Sequence, residues 1–399
     1  MGDYHDPSIM HKSALSLATM PKSTVALRNA APPPRLSDVV SEVRAIAPEQ
    51  MIVDPSLVEA AARAWSANTI RAFLSDIRLW DTWCRLSRVA SGEATAQTVA
   101  AYVRALSGQD HASAAARATE IRAAATIARY LVSIGWAYRM AGREDPTSAP
   151  LVRLELKAAR RLLGTRQSQA RAIRFKGEGS DLDAPASGVS LGVLLKAARR
   201  DLLGVRDRAL LLTAYDTAGR CSELAALQVT DIDGPDSDGA GVAEIRRSKT
   251  DQQGQGAQAY LSPVTMRAIA EWCRAAGIQR GALFRRVETW FDGSVRSVGE
   301  GPLHSGTISL IYKRLVRQAF DKKLLGAMSE SELERWVAAV SSHSIRVGVA
   351  QDNFAAGESL PAIMQAYRWR DPKTVMRYGA KLAAKSGASA RMAARFGSL

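Results

Sequence analysis

From about Ser56 to Leu163 the chain is alanine-rich, poor in proline and patterned with a period near 3.6 residues. Such a stretch folds as packed helices rather than as a sheet. Between Asn68 and Arg85, Ile70, Phe73, Leu74, Ile77, Trp80 and Trp83 share one face, while Arg71, Arg78 and Arg85 recur every seven residues on another. In Leu151–Leu163, Arg153, Lys157, Arg160 and Arg161 share a face opposed to Leu151, Leu154 and Leu162, which are expected to pack. A cationic stripe can line a phosphate backbone. An ordinary solvated helix face explains either stripe taken singly.

The 399 residues exceed what one hydrophobic core usually spans, so two domains and tails are expected. Residues 1–55 carry Pro32-Pro33-Pro34 and no sustained period, and read as a mobile tail. The helical block follows at 56–164. Residues 165–188 mix Gln, Ser, Gly and Asp as an exposed connection does, and 189–399 form a second domain. There, helices are expected at 191–200 and 206–218, a turn at 233–241, and β-like runs at 243–248 and 257–261. Helices are expected to resume after that and continue to the end.

Net charge is +15, distributed as −2 over residues 1–59, +7 over 60–164 and +10 over 165–399. Basic excess concentrated in folded segments points to a polyanion, nucleic acid first, because bound phosphates release counterions. Cys84, Cys221 and Cys273 form no CxxC pair, so neither a thiolate zinc site nor a disulfide framework is expected. No run of eighteen apolar residues and no basic-then-apolar leader occurs, so no membrane partner is expected and a cytoplasmic setting is. HExxH, GxxxxGK[ST] and a strand-to-helix GxGxxG are all missing, which leaves zinc hydrolase, P-loop and dinucleotide readings without support. No metal or other cofactor is called for.

Of the five histidines only His343 has chemical company, in Ser342-His343-Ser344-Ile345-Arg346. Three residues apart on a helix, His343 and Arg346 can reach one phosphate, although a capped helix start explains the pair equally well. Other segments join it: Ala218-Gly219-Arg220-Cys221-Ser222-Glu223-Leu224, Ser248-Lys249-Thr250, Trp369, and Arg377-Tyr378-Gly379. In this order, with 23 residues from Arg346 to Trp369 and nine from Trp369 to Tyr378, they resemble the active-site boxes of the tyrosine recombinases, the phage integrase family. The resemblance covers about residues 56–399.

The resemblance implies a mainly α fold, with a helical N-terminal core-binding domain that clamps DNA and a mostly α catalytic domain bearing a small antiparallel β-sheet. It implies a site-specific recombinase that cleaves and rejoins DNA through a 3′-phosphotyrosyl intermediate and a Holliday junction. Tyr378 is the implied nucleophile; Tyr367 lies where the pattern calls for none. Arg220 and Arg346 would grip the phosphate with permanently charged forks. His343 would serve acid–base transfer, since a free phenol is protonated near neutrality. Lys249 would protonate the departing 5′ oxygen, Trp369 would donate through its indole N–H, and Glu223 would support the basic groups. Ser305 and Thr307 fall at the start of a helix expected to enter the major groove. Implied partners are double-stranded DNA with inverted-repeat half-sites and three further copies of the chain in a tetramer, with residues 387–399 as an exchange helix carrying Met392 and Phe396. A bacterial or phage-encoded origin is implied as well. A type IB topoisomerase-like enzyme and a catalytically inactive architectural DNA-binding protein stay open as alternatives.

Overall fold

The computed structural model describes residues 35–46, 54–166, 169–177, 187–246 and 256–386, together with 392, 393 and 396. They fall into two compact units that part between residues 168 and 169, each with its own hydrophobic core.

Among its described residues the first unit contains helices and no strand: α1 Leu36–Ile46, α2 Pro55–Ala64, α3 Ala67–Leu86, α4 Ala96–Ser107, α5 Ala114–Arg117, α6 Ala124–Met140 and α7 Pro150–Leu163. Helix starts follow local chemistry. The Asp54 carboxylate accepts from the Ser56 and Leu57 N–H groups ahead of Pro55, and Ser66 accepts from Thr69 N. The expected face of α3 is buried, and Trp80, Trp83 and Tyr102 make its centre, with the two indoles stacked at 5.8 Å. Buried Asp76 is satisfied by Arg129 at 2.6 Å and Ser133 at 2.8 Å.

Two expectations for this unit need correction. Residues 36–46, assigned above to a mobile tail, form α1, and its Val39 and Val43 are buried in the core. One turn-spaced valine pair is too little apolar signal to stand out from a polar tail. In α7 the packed face is Val152, Leu156, Ala159 and Leu163, whereas Leu154 and Leu162 are 63% and 61% exposed. Both stripes have helical spacing, and contact with α4 selects the one with the small Ala159.

The second unit contains α8 Leu191–Ala197, α9 Leu202–Thr217, α10 Cys221–Ala226, β1 Ile232–Asp233, β2 Gly241–Glu244, β3 Gln258–Leu261, α11 Pro263–Ala275, β4 Arg285–Thr289, β5 Val295–Pro302, α12 Ser305–Asp321, α13 Glu330–Ala339, α14 Ser344–Ala356, α15 Leu360–Ala366 and α16 Pro372–Ser386. Strands β1-β2-β3 form an antiparallel sheet, with Ala243 opposite both Ile232 and Ala259. Helix α9 is buried on nearly every side and packs on α11 and α14.

The β4–β5 hairpin corrects the expectation of uninterrupted helix after residue 261. Its register shifts twice and only Val287 of its strands is buried, so no period-two apolar alternation marks it. Within the expected exposed connection 165–188, Ile173 is fully buried, its N–H donating to Ser344 O at 2.9 Å. Arg174 pairs with buried Asp352 at 2.6 Å. A single isoleucine among basic residues carries no periodicity that would reveal such docking.

Candidate functional site

Helix α9 ends at Thr217, and Ala218 turns the chain through left-handed backbone at φ 42°. Arg220 follows in extended conformation as the N-cap of α10. Its backbone N–H donates to Glu223 Oε2 at 3.0 Å, and its guanidinium donates to Oε1 at 2.6 Å. Glu223 is 3% exposed, so its charge acts on the arginines around it and not on solvent.

Arg346 lies in the first turn of α14, almost fully buried, and donates to the carbonyl of Ala218, 128 residues away. That bond joins the two ends of the site. Further along α14, a Cβ on Gly348 would stand 1.9 Å from Ile173 O, so only glycine lets the helix press against the 173–174 backbone. His343 is the exposed N-cap residue of α14, its backbone N–H donating to Ser341 Oγ at 3.1 Å.

The guanidinium of Arg346 sits 4.8 Å from the centre of the Trp369 ring. Trp369 is buried, and its ring meets Tyr378 edge-on at 6.2 Å between centroids. Its indole N–H is buried with no hydrogen-bond acceptor among the described residues. Tyr378 is half-buried on α16, and its backbone carbonyl accepts from Gln351 at 3.1 Å. Tyr367 is different: Asn353 donates to its phenol oxygen at 3.2 Å, and burial pushes that phenol above its ordinary pKa.

Burial, followed by the neighbouring Arg220 charge, lowers the Arg346 pKa to about 10, while Glu223 and Tyr378 pull the other way. The guanidinium therefore stays charged at neutral pH. Arg368, which sequence reasoning passed over, also enters the cluster: Nη2 donates to Thr217 O at 2.9 Å and lies 3.8 Å from Glu223 Oε2. Its only sequence signal was its place beside Trp369. Chemically the arrangement is a buried cationic cradle with a phenol at its side. Among the described residues no cluster of three His, Cys, Asp or Glu side chains could hold a metal, and no helix is long and apolar enough to cross a membrane.

Arg220, Glu223, Arg346, Trp369 and Tyr378 are thus brought together, with His343 at the start of the same helix as Arg346. Lys249 lies outside the described residues. Ser305 and Thr307 are half-buried in the first turn of α12, where His304 accepts from Gly306 N. On α3, Arg78 pairs with Glu42, Arg85 with Asp81, and Arg71 donates to Asn68. On α7, Arg153 is turned back onto Ser148 O, while Lys157, Arg160 and Arg161 are exposed. Of the expected exchange helix, Met392 and Phe396 are described and are 46% and 60% exposed; most of 387–399 lies outside the described residues.

Residues 190–385 match the model of the phage integrase family. The recombinase Cre of Escherichia phage P1 is 29% identical over 336 residues, covering 83% of this chain and 89% of that protein. An integrase/recombinase XerD homologue of Selenomonas ruminantium is 27% identical over 321 residues, covering 78% of this chain and 81% of its own. Among solved structures, the Tn1549 transposon integrase in complex with a circular intermediate DNA is similar in fold. Its TM-score is 0.50 at 13% identity, over 84% of this chain and 99% of that one.

Proposed function

The chain belongs to the phage integrase family and is a tyrosine-type site-specific recombinase, and we propose that it exchanges DNA strands through a covalent 3′-phosphotyrosyl intermediate formed on Tyr378. The observation that carries this reading is the convergence of Arg220, Arg346, Trp369 and Tyr378 around one buried cationic cradle, from segments far apart in sequence.

In the proposed step the Tyr378 phenol oxygen attacks the scissile phosphorus, a phosphorus–oxygen bond to tyrosine forms, and the bond to the 5′ oxygen breaks. The phenol proton passes to His343, and Lys249 protonates the departing 5′ oxygen, which leaves as a hydroxyl. Arg220 and Arg346 hold the nonbridging oxygens, where charge grows most in the transition state. The Trp369 indole N–H, which has no acceptor among the described residues, suits the same phosphate. A different 5′ hydroxyl then reverses the step on the tyrosyl ester. The ester keeps the energy of the original phosphodiester, so rejoining needs no nucleotide. Two such exchanges, one strand pair at a time, pass through a Holliday junction within four protomers on two inverted-repeat sites. Residues 56–164 act as the DNA clamp and 189–399 as the catalytic domain.

The test begins with a palindromic duplex selected by this protein from a randomised library. A nicked version of that duplex should trap a covalent protein–DNA adduct with the wild type and none with Tyr378→Phe. Tight binding without any adduct would make the protein an architectural DNA binder. Relaxation of generic supercoiled plasmid by isolated monomers would make it a topoisomerase.

A further inference from the structure

Helix α15 closes with a Schellman turn: Trp369 N donates to Met364 O at 3.0 Å, and Arg368, between them, adopts φ 57°. That left-handed position normally takes glycine, since a side chain there is strained. Helix α14 ends the conventional way, on Gly357 at φ 86°. An arginine forced into the glycine position of a helix end, with its side chain turned inward, is the kind of local strain that collects at working sites.

The side chain is 14% exposed and spans two groups at the edge of the cradle. It donates to Thr217 O, one residue before the Ala218 carbonyl that holds Arg346, and approaches the carboxylate that holds Arg220. Its Nη1 is buried with no hydrogen-bond partner among the described residues, as is the indole N–H of the adjacent Trp369. Arg220, Arg346 and Arg368 all act on one another's charge, and Glu223 is the carboxylate that acts on both Arg346 and Arg368. Three cations to one anion in a buried cluster is unfavourable when nothing else is bound.

We propose that Arg368 is a positioning residue of the cleavage site, which shares Glu223 with Arg220 and supplies the third positive charge needed when the scissile phosphate becomes doubly charged. The inference rests on the recombinase reading above. A phosphodiester carries one negative charge and the five-coordinate species formed by tyrosyl attack carries two. Three guanidinium groups and one carboxylate therefore balance the transition state and overbalance the ground state. Charge arranged in this way accelerates the step instead of merely tightening binding.

The test measures adduct formation on the selected nicked duplex, affinity for the intact duplex, and adduct formation on the same duplex with an uncharged methylphosphonate at the scissile position. Arg368→Met should slow adduct formation by about 10- to 100-fold on the phosphodiester, in the range of losing a preorganised donor. Affinity should stay within about threefold of wild type and Arg368→Lys should recover most of the rate, since only the charge is needed. On the methylphosphonate the wild type and Arg368→Met should react alike. Arg368→Gly, which suits the left-handed turn, guards against misfolding and should show the same rate loss. Cleavage by Arg368→Met at the wild-type rate, or an equal loss on both substrates, would overturn the inference. Absence of any wild-type adduct would instead overturn the recombinase reading itself.

Discussion

The guanidinium of Arg346 lies over the Trp369 ring at 4.8 Å from its centre, and the same ring meets Tyr378 edge-on at 6.2 Å between centroids. A cation over an indole is favourable, more so away from water. The contact ties the position of α14 to that of the turn before α16.

Trp369→Phe keeps a ring under Arg346 and should cost about 1–2 kcal/mol of stability, whereas Trp369→Ala leaves a cavity and should cost about 3–5 kcal/mol. Urea unfolding midpoints of the full chain check the ordering. Both variants lack the indole N–H, so both should slow adduct formation even where folding survives.

Gly379 directly follows Tyr378, the proposed nucleophile, and a Cβ there would stand 2.4 Å from Phe354 Cδ2, on α14. Gly379→Ala must push α16 away from α14 or displace the ring, at about 1–3 kcal/mol. Adduct formation should fall by about tenfold or more while DNA affinity is kept, because misplacing a reacting group acts on the chemical step. Phe354→Leu in the same chain should restore part of the rate.

Asp352 accepts from Arg174 at 2.6 Å, Phe175 N at 2.8 Å and Tyr215 OH at 2.7 Å. Asp352→Asn removes the carboxylate charge that faces buried Arg174 and should destabilise by about 3–5 kcal/mol. Tyr215→Phe removes one neutral donor and should cost about 1 kcal/mol. Thermal unfolding with both variants separates these magnitudes.

Lys157, Arg160 and Arg161 are exposed on α7, whereas Arg78 is paired with Glu42. If the three on α7 meet phosphates, each alanine substitution should weaken binding to any duplex alike and reduce the slope of log affinity against log salt by about one. Arg78→Ala should leave that slope less changed. Titrations between low and moderate salt give both numbers directly.

Much of the fold was legible because helix faces are written locally. The α3 stripe from Ile70 to Trp83 is buried as its spacing requires, and Arg220, His343, Arg346, Trp369 and Tyr378 stand out by residue type and order. The same local reading misjudged α7, where two apolar stripes of equal period compete, and missed β4–β5, where exposure and register shifts erase alternation. It passed over α1, whose two buried valines are a weak signal.

By itself, the sequence determined the helices with a strong apolar stripe, such as α3, and offered the side chains proposed for the chemistry, because periodicity and functional groups belong to neighbouring residues. Only the tertiary structure decided that Arg346 reaches Ala218 across 128 residues, that Ile173 lies against the backbone beside Gly348, and that Arg368 turns inward to share Glu223. Those contacts depend on how distant backbones meet, and no spacing along the chain encodes that meeting.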